Sequence, residues 1–337
     1  MSRDARREKL RSLIEETGTS GILLRRPANF AWYTGGADNR VDHGDEFGVA
    51  AVLVTRDAEY VVVDNIEASR MREEETPNFE VAEHPWHEGP DVLVRELIGG
   101  SSLAGDSPAA PGEDLTARIA PLRYVLDADA VERYRVLGTD AVAAVAEAAA
   151  SLTPETDEIE ASANLVAACR RRGLYVPVLM AASAARMVRF RHAIPRGGPL
   201  GRRAMLVVCA ERGGLFANHT LLVDFDAPDP ETLRRQQACD ELLRRMRDEA
   251  SHPGRTFAEA FEDCRRFYAE AGYPDGWRDH HQGGLTGYAS RELVASPTTV
   301  QEIRTGQAFA WNPSLPNAKA EETFVLTDAG PEILTRS

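Results

Sequence analysis

Hydrophobic and polar positions change rhythm near residue 128. Before it, helical and strand-like stretches alternate. An amphipathic helix is expected near 4–17, followed by the short apolar run GILL at 21–24. AAVLVT (50–55) and EYVVVD (59–64) read as strands split by the turn-forming RDA. GDSPAAPGED (105–114), rich in Pro, Gly and Asp, reads as a loop. Residues 1–125 are therefore predicted to form a small α/β domain.

Beyond that point long helical runs dominate. DADAVERYRVLGTDAVAAVAEAAASL (127–152) predicts an Ala-rich helix, and TPETDEIEASANLVAACRRRG (153–173) a second. The second is expected to start at an N-cap Thr156 and to stop at Gly173, a residue suited to the left-handed conformation past a helix end. DPETLRRQQACDELLRRMRDEA (229–250) predicts a third, with Asp229 as cap and Pro230 in the first helical position. In TFAEAFEDCRRFYAEAG (256–272), Thr256 and Glu259 form a capping box. Phe257, Phe261, Cys264 and Tyr268 fall on one apolar stripe there, which reads as core. Strand-like segments lie between the helices: AMLVVCAE (204–211), HTLLVDF (219–225), QAFAW (307–311) and ETFVLT (322–327). Helices in pairs with antiparallel-type strands between them predict an α+β domain over 126–337.

Composition narrows the function classes. A chain of 337 residues with 43% hydrophobic content is long enough for two cores. The net charge of −14 argues against binding to nucleic-acid phosphates or to anionic membranes. No apolar run approaches the roughly 18 residues of a membrane-spanning helix, and the charged N-terminus lacks a signal-peptide core. The four cysteines, Cys169, Cys209, Cys239 and Cys264, stand singly in apolar or helical context and read as core thiols. A cytoplasmic protein is expected.

Four segments carry candidate chemistry. In RMVRFRHAIPRGGPLG (186–201), Arg189, Arg191 and His192 place three basic side chains within four residues, which suits anion binding or proton transfer. In GGLFANHTLLVDF, Asn218 and His219 enter a strand after a Gly-Gly turn. DHHQGGLTGYASRE (279–292) sets His280 and His281 beside flexible backbone. In FAWNPSLPNAKAEETFVLT, Lys319 and Glu321 are two apart and share one side of an extended strand. Lysine occurs only twice in the chain, as Lys9 and Lys319; unlike arginine it can exchange a proton. Taken alone, each segment also fits a plainer role: a structural histidine, an ordinary hairpin, a surface ion pair.

In order, these segments resemble the pita-bread family of methionine aminopeptidase, Xaa-Pro aminopeptidase, prolidase and creatinase. ANFAWYTGG resembles the N-x-x-Y-x-T-G signature of that family's smaller N-terminal domain, and FRHAIP the segment bearing its substrate-site histidine. MLVVCAERGGLFANHTL stands where the family has D-x-G and D-x-T-R, GGLTGYASRE where it has H-x-x-G and H-E, WNPS where it has E-P-G. AEETFVLT resembles its final E-D-T-x-x-x-T. The resemblance implies an α+β fold with a C-terminal pita-bread domain and a smaller creatinase-like N-terminal α/β domain.

The departures concern metal. The family's peptidases hold two divalent ions on two Asp, one His and two Glu. By spacing these positions fall on Val207 (to within a residue), Asn218, Gly284, Asn312 and Glu321, so only the last carboxylate is kept. Two dications need several anionic oxygens; no metal site and no cofactor are therefore expected, with a lone ion on His280, His281 and Glu321 as a minor alternative. Creatinase works without metal, using a histidine as proton shuttle. The resemblance thus implies a metal-independent hydrolase acting on a C–N bond of a small carboxylate-bearing nitrogen compound. His192 and His280 match the family's non-metal histidines, and Glu321 and Lys319 complete the catalytic set. Arg189, Arg191 and Arg291 are expected to hold the carboxylate, Asn218 and Asn312 to stand as neutral ligand contacts, and Trp311 and Tyr288 to form apolar walls. The glycine pair Gly283-Gly284 is expected to let backbone approach the ligand. Only one of His280 and His281 is expected to reach the substrate. The family is commonly dimeric, so a homodimer is expected, with Asn39 and Arg40 contacting substrate in the other subunit. Two other readings stay open: an inactive homologue that binds a peptide or small ligand, and a conventional metal-dependent Xaa-Pro aminopeptidase.

Overall fold

In the computed structural model, which describes residues 3–99, 102–107 and 112–336, the chain divides into two units, Met1–Arg123 and Tyr124–Ser337. The first is built on a six-stranded mixed sheet in the order 80–84, 59–64, 51–55, 21–24, 103–105, 112–114. The GILL strand, with all four residues buried, lies near its middle. Apolar runs without alternation suit a strand covered on both faces. The predicted N-terminal helix is Arg3–Thr17. A second helix, Pro27–Thr34, starts with proline in its first turn and ends on Gly35 at φ 85°. Its Asn29 is fully buried and donates to Asp106 at 2.6 Å. Both ends of the expected loop at 105–114 are strand residues; residues 108–111 lie outside the described part.

The second unit holds a three-stranded antiparallel sheet, Tyr175–Ser183, Arg203–Arg212 and Leu215–Asp224, and a five-stranded sheet whose central strand is Ala308–Trp311. The hairpin 203–224 turns on Gly213-Gly214 with φ of 58° and 76°. Positive φ at both central residues matches the twist of the flanking strands. Its unbroken register sets Val207 opposite Thr220 and Cys209 opposite Asn218. The helices cover these sheets. Asp229 caps Pro230–Arg245, and the Thr256–Glu259 capping box opens Phe257–Glu270, both as predicted. The helix Glu158–Arg170 starts one residue later than expected, on Asp157, whose carboxylate accepts from Ile159 N at 2.8 Å. Thr156 is engaged with Thr153 instead. The core gathers Phe257, Phe261, Phe267 and Tyr268 against Phe309, Trp311 and Phe324. Each such ring contributes on the order of 2 kcal/mol by burial.

Gly283–Thr286, expected to be loop, is a strand of the larger sheet. A Cβ on Gly283 would lie 2.0 Å from Ala310 O, and one on Gly284 2.3 Å from Leu293 O. The two glycines therefore serve the close approach of neighbouring strands. The expectation that they bring backbone to a ligand is corrected accordingly. Among the described residues no helix is long and apolar enough to cross a membrane.

Candidate functional site

The second unit contains a cavity of about 410 Å³ between its two sheets. Val178, Met180, Ile194 and Val207 give it an apolar wall, while Asn218, Asn312, Lys319, Glu321 and Arg291 give it a polar floor, with His192 and His281 at its edge. The floor is a charge cluster. Lys319 Nζ donates to Glu321 Oε2 at 2.8 Å, and Thr220 Oγ1 donates to the same oxygen at 2.7 Å. Arg291 Nη2 reaches Glu321 Oε1 at 3.3 Å. Both Lys319 and Glu321 are 7% exposed. Burial alone would raise the Glu321 carboxyl. The charges of Lys319 and Arg291, with the hydrogen bonds from Lys319 and Thr220, outweigh it and hold the group down at about 2. Two cations and one carboxylate leave the floor with one net positive charge. Beside it, Asn218 Nδ2 and Asn312 Oδ1 are buried without a hydrogen-bond partner, although both side chains line the cavity.

Above this floor three histidines meet. His280 Nε2 and His192 Nε2 are 3.0 Å apart, and the rings of His280 and His281 stack with centroids 4.4 Å apart. Each of His192, His280 and His281 offers a nitrogen within 4.8 Å of the other two. Of the adjacent pair, His281 lines the cavity, while His280 stands against His192. Burial lowers all three, helped by Lys319, Arg291 and the mutual repulsion of the rings. His280 falls to about 3 and His281 to about 4. The rings are thus neutral near pH 7.

Both histidine-bearing segments are held from the side. Arg191 and Asp279, the residues just before His192 and His280, form an ion pair at 3.0 Å. Gln282, fully buried, donates to Trp277 O at 3.1 Å and His280 O at 2.5 Å and accepts from Tyr268 Oη at 2.8 Å. On the other side Glu158 accepts from Ser183 N at 2.8 Å and pairs with Arg186, whose Nη2 donates to Ile194 O at 2.7 Å.

Several expected contacts lie elsewhere. Trp311 is fully buried, and its indole N–H donates to Ser251 Oγ at 2.9 Å. Alternation along the strand sends Trp311 and Phe309 into the helix-facing core and leaves Asn312 for the cavity. Tyr288 is 2% exposed and accepts from Arg133 Nη2 at 2.9 Å, so it forms no cavity wall. Arg189 is exposed, with its guanidinium over the Phe190 ring, and Arg191 is committed to Asp279; of the three arginines only Arg291 lines the cavity. Asn39 is fully buried in the first unit and donates to Arg25 O and Ala50 O at 2.9 and 2.7 Å. Arg40 pairs with Asp38 at 2.8 Å, its side chain 11% exposed. Neither is presented as a reaching substrate contact.

The sequence matches the model of the creatinase/prolidase N-terminal domain over residues 6–136 and that of metallopeptidase family M24 over residues 132–328. The chain belongs to metallopeptidase family M24. Solved structures agree on the architecture. The prolidase from Pyrococcus horikoshii OT3 superposes with a TM-score of 0.83 at 18% identity, covering 99% of this chain and 98% of that one. For the Xaa-Pro dipeptidase from Bacillus anthracis the values are 0.82 and 18%, over 100% and 98%. For dipeptidase PepE from Mycobacterium ulcerans they are 0.79 and 19%, over 99% and 96%. At such identities the likeness establishes the fold. No curated protein matches the sequence. The M24 chain is thus a two-domain pita-bread member of a hydrolase family.

The M24 family implies a pair of divalent ions, and the residues present here do not fit one. The donors facing the cavity at the positions expected from spacing are two amides and one carboxylate, and that carboxylate is already held by Lys319 and Arg291. A dication there would meet the buried Lys319, the partly buried Arg291 and too few anionic oxygens. Gly284 has no room for any side chain.

Thr220, Gln282, Asp279 and Glu158 are the site-building residues that sequence reasoning missed. Thr220, two residues from Asn218 on a strand, was open to the same-side argument used for Lys319 and Glu321. Asp279 and Glu158 act through partners distant in the chain, and Gln282 through backbone carbonyls that its sequence does not mark out.

Proposed function

We propose that this M24 protein hydrolyses a C–N bond of a small, carboxylate-bearing nitrogen compound without the family's two-metal centre. The observation that carries this reading is the buried Lys319–Glu321 pair at 2.8 Å, lying beneath the His192–His280 pair at 3.0 Å. The one net positive charge of the floor favours a single anionic group, and Arg291 lines the cavity beside it. Asn218 and Asn312 supply a donor and an acceptor to the substrate's polar atoms. The apolar wall takes its hydrocarbon part.

The two neutral imidazoles share one N–H. With that proton on His192 Nε2 and donated to His280, the other His192 nitrogen keeps a lone pair for water. Water attacks the carbon as His192 takes its proton, and His280 supports the imidazolium that forms. The proton then passes to the leaving nitrogen as the C–N bond breaks. Four buried cysteines, all unpaired, support a reducing, cytoplasmic setting.

The test is a panel of small C–N compounds offered to chelator-treated protein. Turnover is expected for the wild type, and His192→Ala should lose about 100-fold or more. Turnover that requires added metal would overturn the metal-free reading. If neither protein turned over anything, yet both bound one ligand, the chain would be a ligand-binding member of the family.

A further inference from the structure

We propose that His192, His280 and His281 together bind one divalent transition-metal ion, at a place distinct from the family's two-metal positions. The geometry is that of a nearly assembled ligand set. Three nitrogens, one from each ring, lie within 4.8 Å of one another, and the closest two are 3.0 Å apart. In a tetrahedral site with Zn–N bonds of about 2.0–2.1 Å, ligand nitrogens stand about 3.3 Å apart. The closest two are already near that spacing, and the third needs only a small turn of an exposed His281 side chain.

The set is also held in place before any ion arrives. The Arg191–Asp279 ion pair ties the residue before His192 to the residue before His280. Gln282, anchored on Tyr268, fixes the backbone on the other side of the histidine pair. Lost loop freedom is therefore small on binding. The donor set is all imidazole with no carboxylate, which selects borderline ions such as Zn²⁺ over the harder ions Mg²⁺, Ca²⁺ and Mn²⁺. Three protein ligands leave a fourth position for water or an anion, next to the cavity that His192 and His281 line. An ion here takes the Nε2 atoms of His192 and His280, breaking the hydrogen bond through which His280 supports the imidazolium and making His192 a weaker base, so zinc switches that reaction off. This consequence rests on the function proposed above; the binding itself does not.

The test is titration of Zn²⁺ into chelator-treated wild-type protein against a chromophoric zinc chelator, read without any substrate. One equivalent is expected to bind. His281→Ala and His192→Ala, checked for folding by circular dichroism, should each weaken it by at least about tenfold. Glu321→Gln should leave it nearly unchanged, because that carboxylate belongs to the floor. Absence of saturable zinc binding in folded wild type would overturn the proposal. So would binding that survives His281→Ala, or that disappears in Glu321→Gln protein shown by circular dichroism to be folded. Failure of the hydrolase reading shows separately, as lack of turnover by the metal-stripped protein.

Discussion

Glu321 decides the character of the site. It stands where spacing places the family's last metal-binding Glu, and here it is 7% exposed with Lys319, Arg291 and Thr220 all donating to it. Glu321→Gln would leave the buried Lys319 and the partly buried Arg291 without their anion, so a loss of about 3 kcal/mol is expected in urea unfolding at pH 7. The carboxyl lies at about 2 in the fold against an ordinary value of 4.5. A depressed group lends stability that is fully present above its unfolded value and is lost as pH falls toward its folded one. The wild type should therefore lose stability between about pH 4.5 and 2, and the Gln variant should show a shallower slope over that window. Equal slopes would mean that the Lys319–Glu321 contact contributes nothing. At this scale much was legible in the chain. The rarity of lysine drew attention to Lys319, and its two-residue spacing from Glu321 placed them on one side. Side-chain direction was not legible for Trp311, because a strand residue faces core or cavity according to which sheet face the helices cover. Nor was it legible for His280 and His281, whose rings stack although the backbone at His280 is extended.

Helices declared themselves through caps and stripes, as Asp229 and the Thr256–Glu259 box show. Strands were harder. Tyr175–Ser183 contains Pro177, which argues against a central strand. It survives because this strand is at a sheet edge and its register shifts between Tyr175 and Val178. Gly283–Thr286 hid behind its glycines, whose signal for flexible loop is the same as their signal for close strand packing. The two meanings separate by experiment. Gly284→Ala should destabilise the protein by about 2 kcal/mol or more, since its Cβ would meet Leu293 O and its φ is 149°. A thermal melt unchanged by that substitution would show the glycine to be loop-like after all. The same crowding means that a histidine placed there would not build a metal ligand.

For the whole molecule, six segments in the right order were enough to reach the two-unit fold, because order and character of segments survive when identities drop below 20%, as they do against the solved prolidases. The chemistry at those positions had to be read residue by residue. The chain keeps the scaffold of a metallopeptidase family and replaces its anionic centre with a nearly balanced charge cluster. The net charge of −14 surrounds a cavity whose floor is positive by one. We propose that this cluster excludes the family's pair of ions. The most direct check is elemental analysis of protein stripped with chelator, re-exposed to excess Mn²⁺ at neutral pH and desalted. The account expects no stoichiometric manganese, in the wild type and in Glu321→Gln alike. Two equivalents of manganese per chain, lost on Glu321→Gln, would contradict it.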